Sequence, residues 1–256
     1  MAFLMACGST ISLGAVALIS GGGVTTLRRR LTAEPRALLL VAVLSAATQL
    51  AFIVAVTRST VSNVVVIVAG APLMAAIAAA VLLGERPRPE VRTAIAMTTV
   101  GIAAVMSGSL GTSRIDGDLL AVAAIVFFAL SIVAWRRHPN LDRPATLAVG
   151  SLLMAVGTVW MVEWSALDLR ALLAGAAMGL VANPAGRMLY SSAPRFAPAA
   201  EVAIFAPVET VAATVWAWLA FAEAPSARTA IGGAIVIASV LVATRGGSFS
   251  RSASHG

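Results

Sequence analysis

The chain has 256 residues, of which 59% are apolar and only 11% charged, with a mean hydropathy of +0.94. A soluble domain carries about 25% charged residues, so this composition excludes an ordinary soluble enzyme or binding module and indicates an integral membrane protein. The net charge is +7, and all 18 basic residues are arginines, most of them dispersed in short corners, which argues against a nucleic-acid surface and fits the positive-inside rule.

Nine apolar runs are each long enough to cross about 30 Å of hydrocarbon as a helix. The first, 3–27, is followed rather than preceded by its basic cluster, Arg28-Arg29-Arg30, so it reads as a retained span and not a signal peptide. Next come 37–56, which carries Gln49, and 59–83, which opens on Ser62-Asn63 and ends at the corner Gly84-Glu85-Arg86-Pro87. Spans at 91–110, 117–136 and 145–163 follow. The run 170–191 holds Asn183-Pro184, Arg187 and Tyr190; the run 198–222 holds Glu201, Glu209 and Trp216; and 227–244 is the last. Stretches such as 77–83 do not alternate in polarity, which excludes a β-barrel. Arginines concentrate in every second corner, starting with 28–36, and this asymmetry puts the C-terminus in the cytoplasm.

One cysteine, Cys7, and two histidines, His138 and His255, provide no material for a disulfide, a zinc site or a histidine relay. No cofactor is expected. The chain contains no lysine, and hence no phosphate-binding Gly-x-x-x-x-Gly-Lys loop for ATP. Small residues such as Gly175-Ala176-Ala177-Met178-Gly179 let helices approach closely, as in tight packing or at a homodimer face.

The tetrapeptide Arg-Thr-Ala-Ile occurs at 92–95 and again at 228–231, each time after an apolar run and a corner containing glutamate, Glu85 or Glu223. Five predicted spans separate the copies. An odd number of crossings turns the second copy upside down, so the chain is expected to be two inverted structural repeats: residues 1–112 with four helices and 113–245 with five, then a disordered cytoplasmic tail, 246–256.

Ala71-Pro72-Leu73-Met74 through Gly84-Glu85-Arg86, and Pro207-Val208-Glu209-Thr210 through Ala222-Glu223 to Ile231-Gly232-Gly233, resemble the end of each half in EamA-like members of the drug/metabolite transporter superfamily. The resemblance implies an all-α membrane protein of two five-helix halves that moves small metabolites or drugs. With nine spans instead of ten, residues 3–27 are expected to match the second family helix, the first being either lost to a misplaced start or dispensable. Thr210 stands where many relatives carry proline.

An ionisable group inside a span costs roughly 3 kcal/mol on insertion scales and is a functional candidate for that reason. Glu209, near the middle of its span, is the leading candidate for holding a proton, a cation or a cationic group of the solute. Asn183, ahead of a helix-breaking proline, together with Tyr190, Gln49 and Trp216, completes the expected solute-binding set. Arg187 and Glu201, at similar depth, are expected to pair either as an inner gate or as a staple of their hairpin. Asn63 is expected to cap its helix.

Together these features point to a secondary transporter in the cytoplasmic membrane that exports a small solute by alternating access, with proton coupling through Glu209 as an option. The alternative is a non-transporting membrane subunit or sensor of the same fold. An intramembrane enzyme would need a cluster of catalytic acids, histidines or metal ligands, which the scattered polar residues do not supply.

Overall fold

The computed structural model describes residues 1–84, 86, 88–110, 112, 114–162, 164, 168–192, 216, 218–219 and 225–248. Among them the regular structure is entirely helical. Five helical stretches, Ala2–Ser20, Pro35–Arg58, Val61–Leu83, Ile115–Arg137 and Arg143–Met161, are long and apolar enough to cross a membrane.

The predicted first span divides in two. Helix α1 covers Ala2–Gly21, and a separate α2 covers Val24–Ala33. Gly22 and Gly23 adopt φ of 73° and 112°, values open to glycine but rarely to other residues, so the chain turns here and ends the span before its arginines. With Arg28, Arg29 and Arg30 in a helix of mean polar character, α2 reads as an interfacial element.

The next elements are α3 (Pro35–Arg58), α4 (Val61–Val68) and α5 (Ala71–Leu83). Asn63 does not cap α4: the N-cap is Thr60, whose side chain accepts from the Asn63 backbone N–H, so the Asn63 amide is free to act elsewhere. Then follow α6 (Pro89–Ser107), α7 (Ile115–Arg137) and α8 (Arg143–Thr158), the last capped by Asp142 and extended by a 3₁₀ turn, Val159–Met161. Helix α9 (Leu169–Ala177) runs through a π-helical turn, Met178–Ala182, into α10 (Asn183–Ser192), and α11 covers Ala227–Ser248. The predicted span 198–222 lies almost wholly outside the described residues.

Two compact units can be described. The first contains Met1–Leu50 and Ala134–Ala193, the second Ala51–Val133 and Pro194–Gly256. In the first, α1 packs on α8, on α9 and on the π-helical turn. The approach to that turn is close: a Cβ on Gly8 would lie 2.9 Å from the Gly179 backbone, and one on Gly179 would lie 2.6 Å from the Met5 carbonyl oxygen. In lipid, where the hydrophobic effect does not drive helices together, such backbone proximity is what makes dispersion contacts productive. The α2–α3 corner is clasped to the residues that join Arg137 to Arg143 by Arg30 on Asp142 at 2.5 Å and by His138 Nδ1 on Glu34 at 2.8 Å.

In the second unit α6 and α11 run antiparallel. Gly108, at the end of α6, lies beside Arg228 at the start of α11, whereas Ala94, near the start of α6, packs with Val240 near the end of α11. Between these ends a Cβ on Gly101 would meet the Gly232 carbonyl at 2.9 Å, and Thr98 shares a 2.5 Å hydrogen bond with Ser239. Helices that carry corresponding tetrapeptides therefore lie head to tail, as inverted repeats require. The core of the unit is Ala55, Val64, Ile67, Val105, Ile125 and Val236 with their neighbours.

Candidate functional site

The α9–α10 segment is one interrupted helix. Pro184 has no N–H, and its ring would clash with a carbonyl in the preceding turn of a regular α-helix. The widened turn absorbs the conflict: the Asn183 N–H reaches back to the Met178 carbonyl, five residues earlier. By the same spacing the Gly179 carbonyl would be served by residue 184, which is proline. Ser9 on α1 donates to that carbonyl instead, at 3.1 Å, and also lies 3.4 Å from Asn183 Oδ1. The carbonyl that proline leaves without a donor is thus satisfied by a neighbouring helix. Asn183 Nδ2 lies 3.7 Å from the Met5 sulfur, which leaves this amide engaged with α1.

One turn beyond Asn183, the half-buried guanidinium of Arg187 spans two helices. Its Nη1 donates to Ser151 Oγ of α8 at 3.0 Å, and its Nη2 donates to Ser45 Oγ of α3 at 2.6 Å. A small residue sets this convergence: a Cβ on Gly150 would lie 3.1 Å from the Ala42 carbonyl and 3.4 Å from Ser45 Cβ, so α3 and α8 cross where the two serines sit. Gln49, one turn along α3, donates to the Ser45 carbonyl at 3.4 Å. Of the predicted residues, Asn183 thus lies against Ser9 of α1 and Arg187, one turn on, against Ser45 and Ser151, while Gln49 bonds to the backbone of its own helix.

The serines were not singled out from the sequence. Serine is unremarkable in a span, because its hydroxyl usually returns to its own helix, as Ser151 does to Leu147 at 2.9 Å. The adjacent Gly150-Ser151 pair is the one available hint. Glu209 and Glu201 lie outside the described residues, as does the Tyr190 side chain. Trp216 is helical and 68% exposed. Among the described residues no group of three or more histidine, cysteine or acidic side chains is arranged to hold a metal.

A second polar network lies in the other unit, around a carboxylate that the sequence reading passed over. Asp118, in the first turn of α7, is fully buried. It accepts from Ser59 Oγ at 2.5 Å and from Asn63 Nδ2 at 3.5 Å. The same amide donates to Ser109 Oγ at 3.2 Å, and Asn63 Oδ1 accepts from Thr229 Oγ1 at 2.5 Å. Ser62, beside Asn63, is buried with its hydroxyl unpartnered.

The sequence description of the EamA-like transporter family matches residues 1–107 and, a second time, residues 115–245. The chain belongs to the EamA-like transporter family. It is accordingly a multi-pass membrane protein with the two-repeat helical architecture of the drug/metabolite transporters, a family that is generally non-enzymatic. A comparison with curated proteins finds no match. One solved crystal structure is similar over 95% of this chain and 88% of its own, with a TM-score of 0.67 and 20% identity, which speaks to the fold alone.

Proposed function

We propose that this EamA-like protein is a secondary transporter that exports a small metabolite or drug-like solute across the cytoplasmic membrane, its two halves, 1–112 and 113–245, rocking between inward-open and outward-open states. The observation that carries this reading is the interrupted helix α9–α10. Broken helices at membrane depth are tolerated where they are buried in protein or line a water-filled path, and what favours a path here is that the break is followed within one turn by Asn183 and Arg187. The antiparallel α6–α11 pair supplies the scaffold on which such halves rotate. Glu209, the acid at mid-span in the sequence, is assigned the coupling role: it releases its proton to the low-dielectric pathway's aqueous side in one state and regains it in the other. Arg187 is assigned to the inner gate, with Glu201 as its expected pair when that gate closes. The C-terminus is cytoplasmic.

A resistance screen in cells overexpressing the protein would identify the solute, and flux of that solute into proteoliposomes with and without a pH gradient would test the mechanism. We expect flux to follow the gradient and Glu209→Gln to uncouple it. Unchanged, gradient-driven flux in Glu209→Gln removes the coupling role from this residue.

A further inference from the structure

The geometry points to Arg187 as an anchor for an oxyanion, a carboxylate or phosphate group, so that the solute carried on the transport reading is anionic at one end. This inference rests on that reading for its biological meaning, but not for its measurement.

The argument begins with charge. A guanidinium keeps its proton in proteins, so Arg187 brings a full positive charge into a partly buried position against two other helices. Its partners Ser45 and Ser151 are neutral hydroxyls. They fix the fork in place without offsetting the charge. Two of the five N–H donors are used in this way, which leaves as many as three for a ligand, and a planar fork held at both terminal nitrogens is suited to an oxyanion pair of lone pairs. The clamp is also rigid in origin. Gly150 brings α3 and α8 together, and the π-helical turn just before α10 sets the rotation that carries Arg187 onto them. Ordering a long cationic side chain before the ligand arrives reduces the entropic cost of binding. An arginine whose task was only to reach the lipid interface would extend away from the bundle; this one reaches across it, to two other helices.

The test uses the full-length protein in phosphatidylcholine nanodiscs and follows thermal unfolding in acetate, inorganic phosphate or chloride at matched ionic strength. Acetate or phosphate is expected to raise the midpoint saturably over chloride. In Arg187→Gln the apparent affinity for that anion should fall at least about tenfold. The doubly substituted Ser45→Ala/Ser151→Ala protein retains the charge but loses the clamp, so it should respond more weakly than wild type and more strongly than Arg187→Gln. If Arg187→Gln does not fold, Arg187→Lys takes its place, with an expected loss of the same sign, because a point charge cannot grip two oxygens as a fork does.

Equal responses in wild type and variant, or no response to either oxyanion, would overturn the assignment. So would a response that appears only in Glu201→Gln, which would make the chain's own carboxylate the occupant. Stabilisation by added phosphatidylglycerol alone would give the site to a lipid headgroup and also overturn it. Intact oxyanion binding with no flux of any screened solute would sink the transport reading and leave the anchor standing.

Discussion

The two buried polar clusters differ in how completely they are closed. Around Asp118 every member serves another: Ser59 and Asn63 donate to the carboxylate, Asn63 also reaches Ser109, and Thr229 donates back to Asn63. The carboxyl group sits in the first turn of α7, a position that the helix dipole favours for acidic side chains. Around Arg187 the charge meets two neutral hydroxyls, in a segment whose helical ladder is already broken. A closed network of this kind ties helix ends together and rigidifies them. A cationic fork held by neutral groups instead retains capacity for a partner. The contrast teaches that burial of charge is by itself a poor guide to function in this fold. Both groups meet neutral partners; what separates the two sites is that Asp118 lies in the first turn of a helix, whose dipole suits an acidic group, whereas Arg187 follows a break in its helical ladder.

The largest effect should come from opening the closed network. Asp118→Ala leaves the partly buried Ser59 hydroxyl and the buried Asn63 amide without this acceptor, at a cost of about 1–3 kcal/mol for a buried unsatisfied group. We expect a large fall in the unfolding midpoint in detergent. Asp118→Asn keeps the shape and one carbonyl acceptor and should lose less. If Asp118→Asn abolishes flux while leaving the midpoint unchanged, the contrast drawn above fails, and the second unit holds a working site as well.

A smaller effect is expected at the first cluster. Ser9→Ala leaves the Gly179 carbonyl, orphaned by Pro184, without its donor. Interhelical hydrogen bonds in membranes are worth about 0.6 kcal/mol on average and up to roughly 1.7, so a modest drop in midpoint should follow. A drop as large as that of Asp118→Ala would mean that the interrupted helix is held mainly by Ser9. Ser62→Ala should be neutral or slightly stabilising, since it removes a buried hydroxyl that lacks a partner. Loss of flux in Ser62→Ala with an unchanged midpoint would identify that hydroxyl as part of the pathway.

Much of the fold was legible because lipid leaves so few choices. Apolar runs must be helices, and their lengths and arginine-bearing corners locate α3, α7 and α8 to within a few residues. The break at Gly22-Gly23 was hidden inside a run whose apolar residues continue past it, and the Ala69-Gly70 junction between α4 and α5 was hidden in the same way. At the site, Arg187 and Asn183 stood out because charge and a proline-linked amide are rare at depth. Their serine partners did not, since nothing in a span distinguishes a hydroxyl bonded to its own helix from one facing a neighbour. Asp118 was missed for a related reason. An acid in a first helical turn beside a predicted boundary looks like a solvated cap, and only the approach of Ser59 and of Asn63 on α4 reveals full burial.

The repeated tetrapeptide gives the smallest and sharpest comparison. Thr229 is buried, capped at its N–H by Ser226 and joined to Asn63, while Arg228 donates to the Ser107 carbonyl at the end of α6. In the other copy Thr93 is exposed and its hydroxyl returns to Pro89 of its own helix. The same four letters therefore have different physical duties, because only the second copy begins its helix against the Asn63 network. Thr93→Ala should change the midpoint by no more than about 0.5 kcal/mol equivalent, as expected for a surface site, whereas Thr229→Ala removes a buried donor and should cost about 1 kcal/mol or more. Comparable losses from both substitutions would show that the repeats share one stabilising device. A loss confined to Thr229→Ala would show that the duplication preserved the helix while the second half alone acquired the lock.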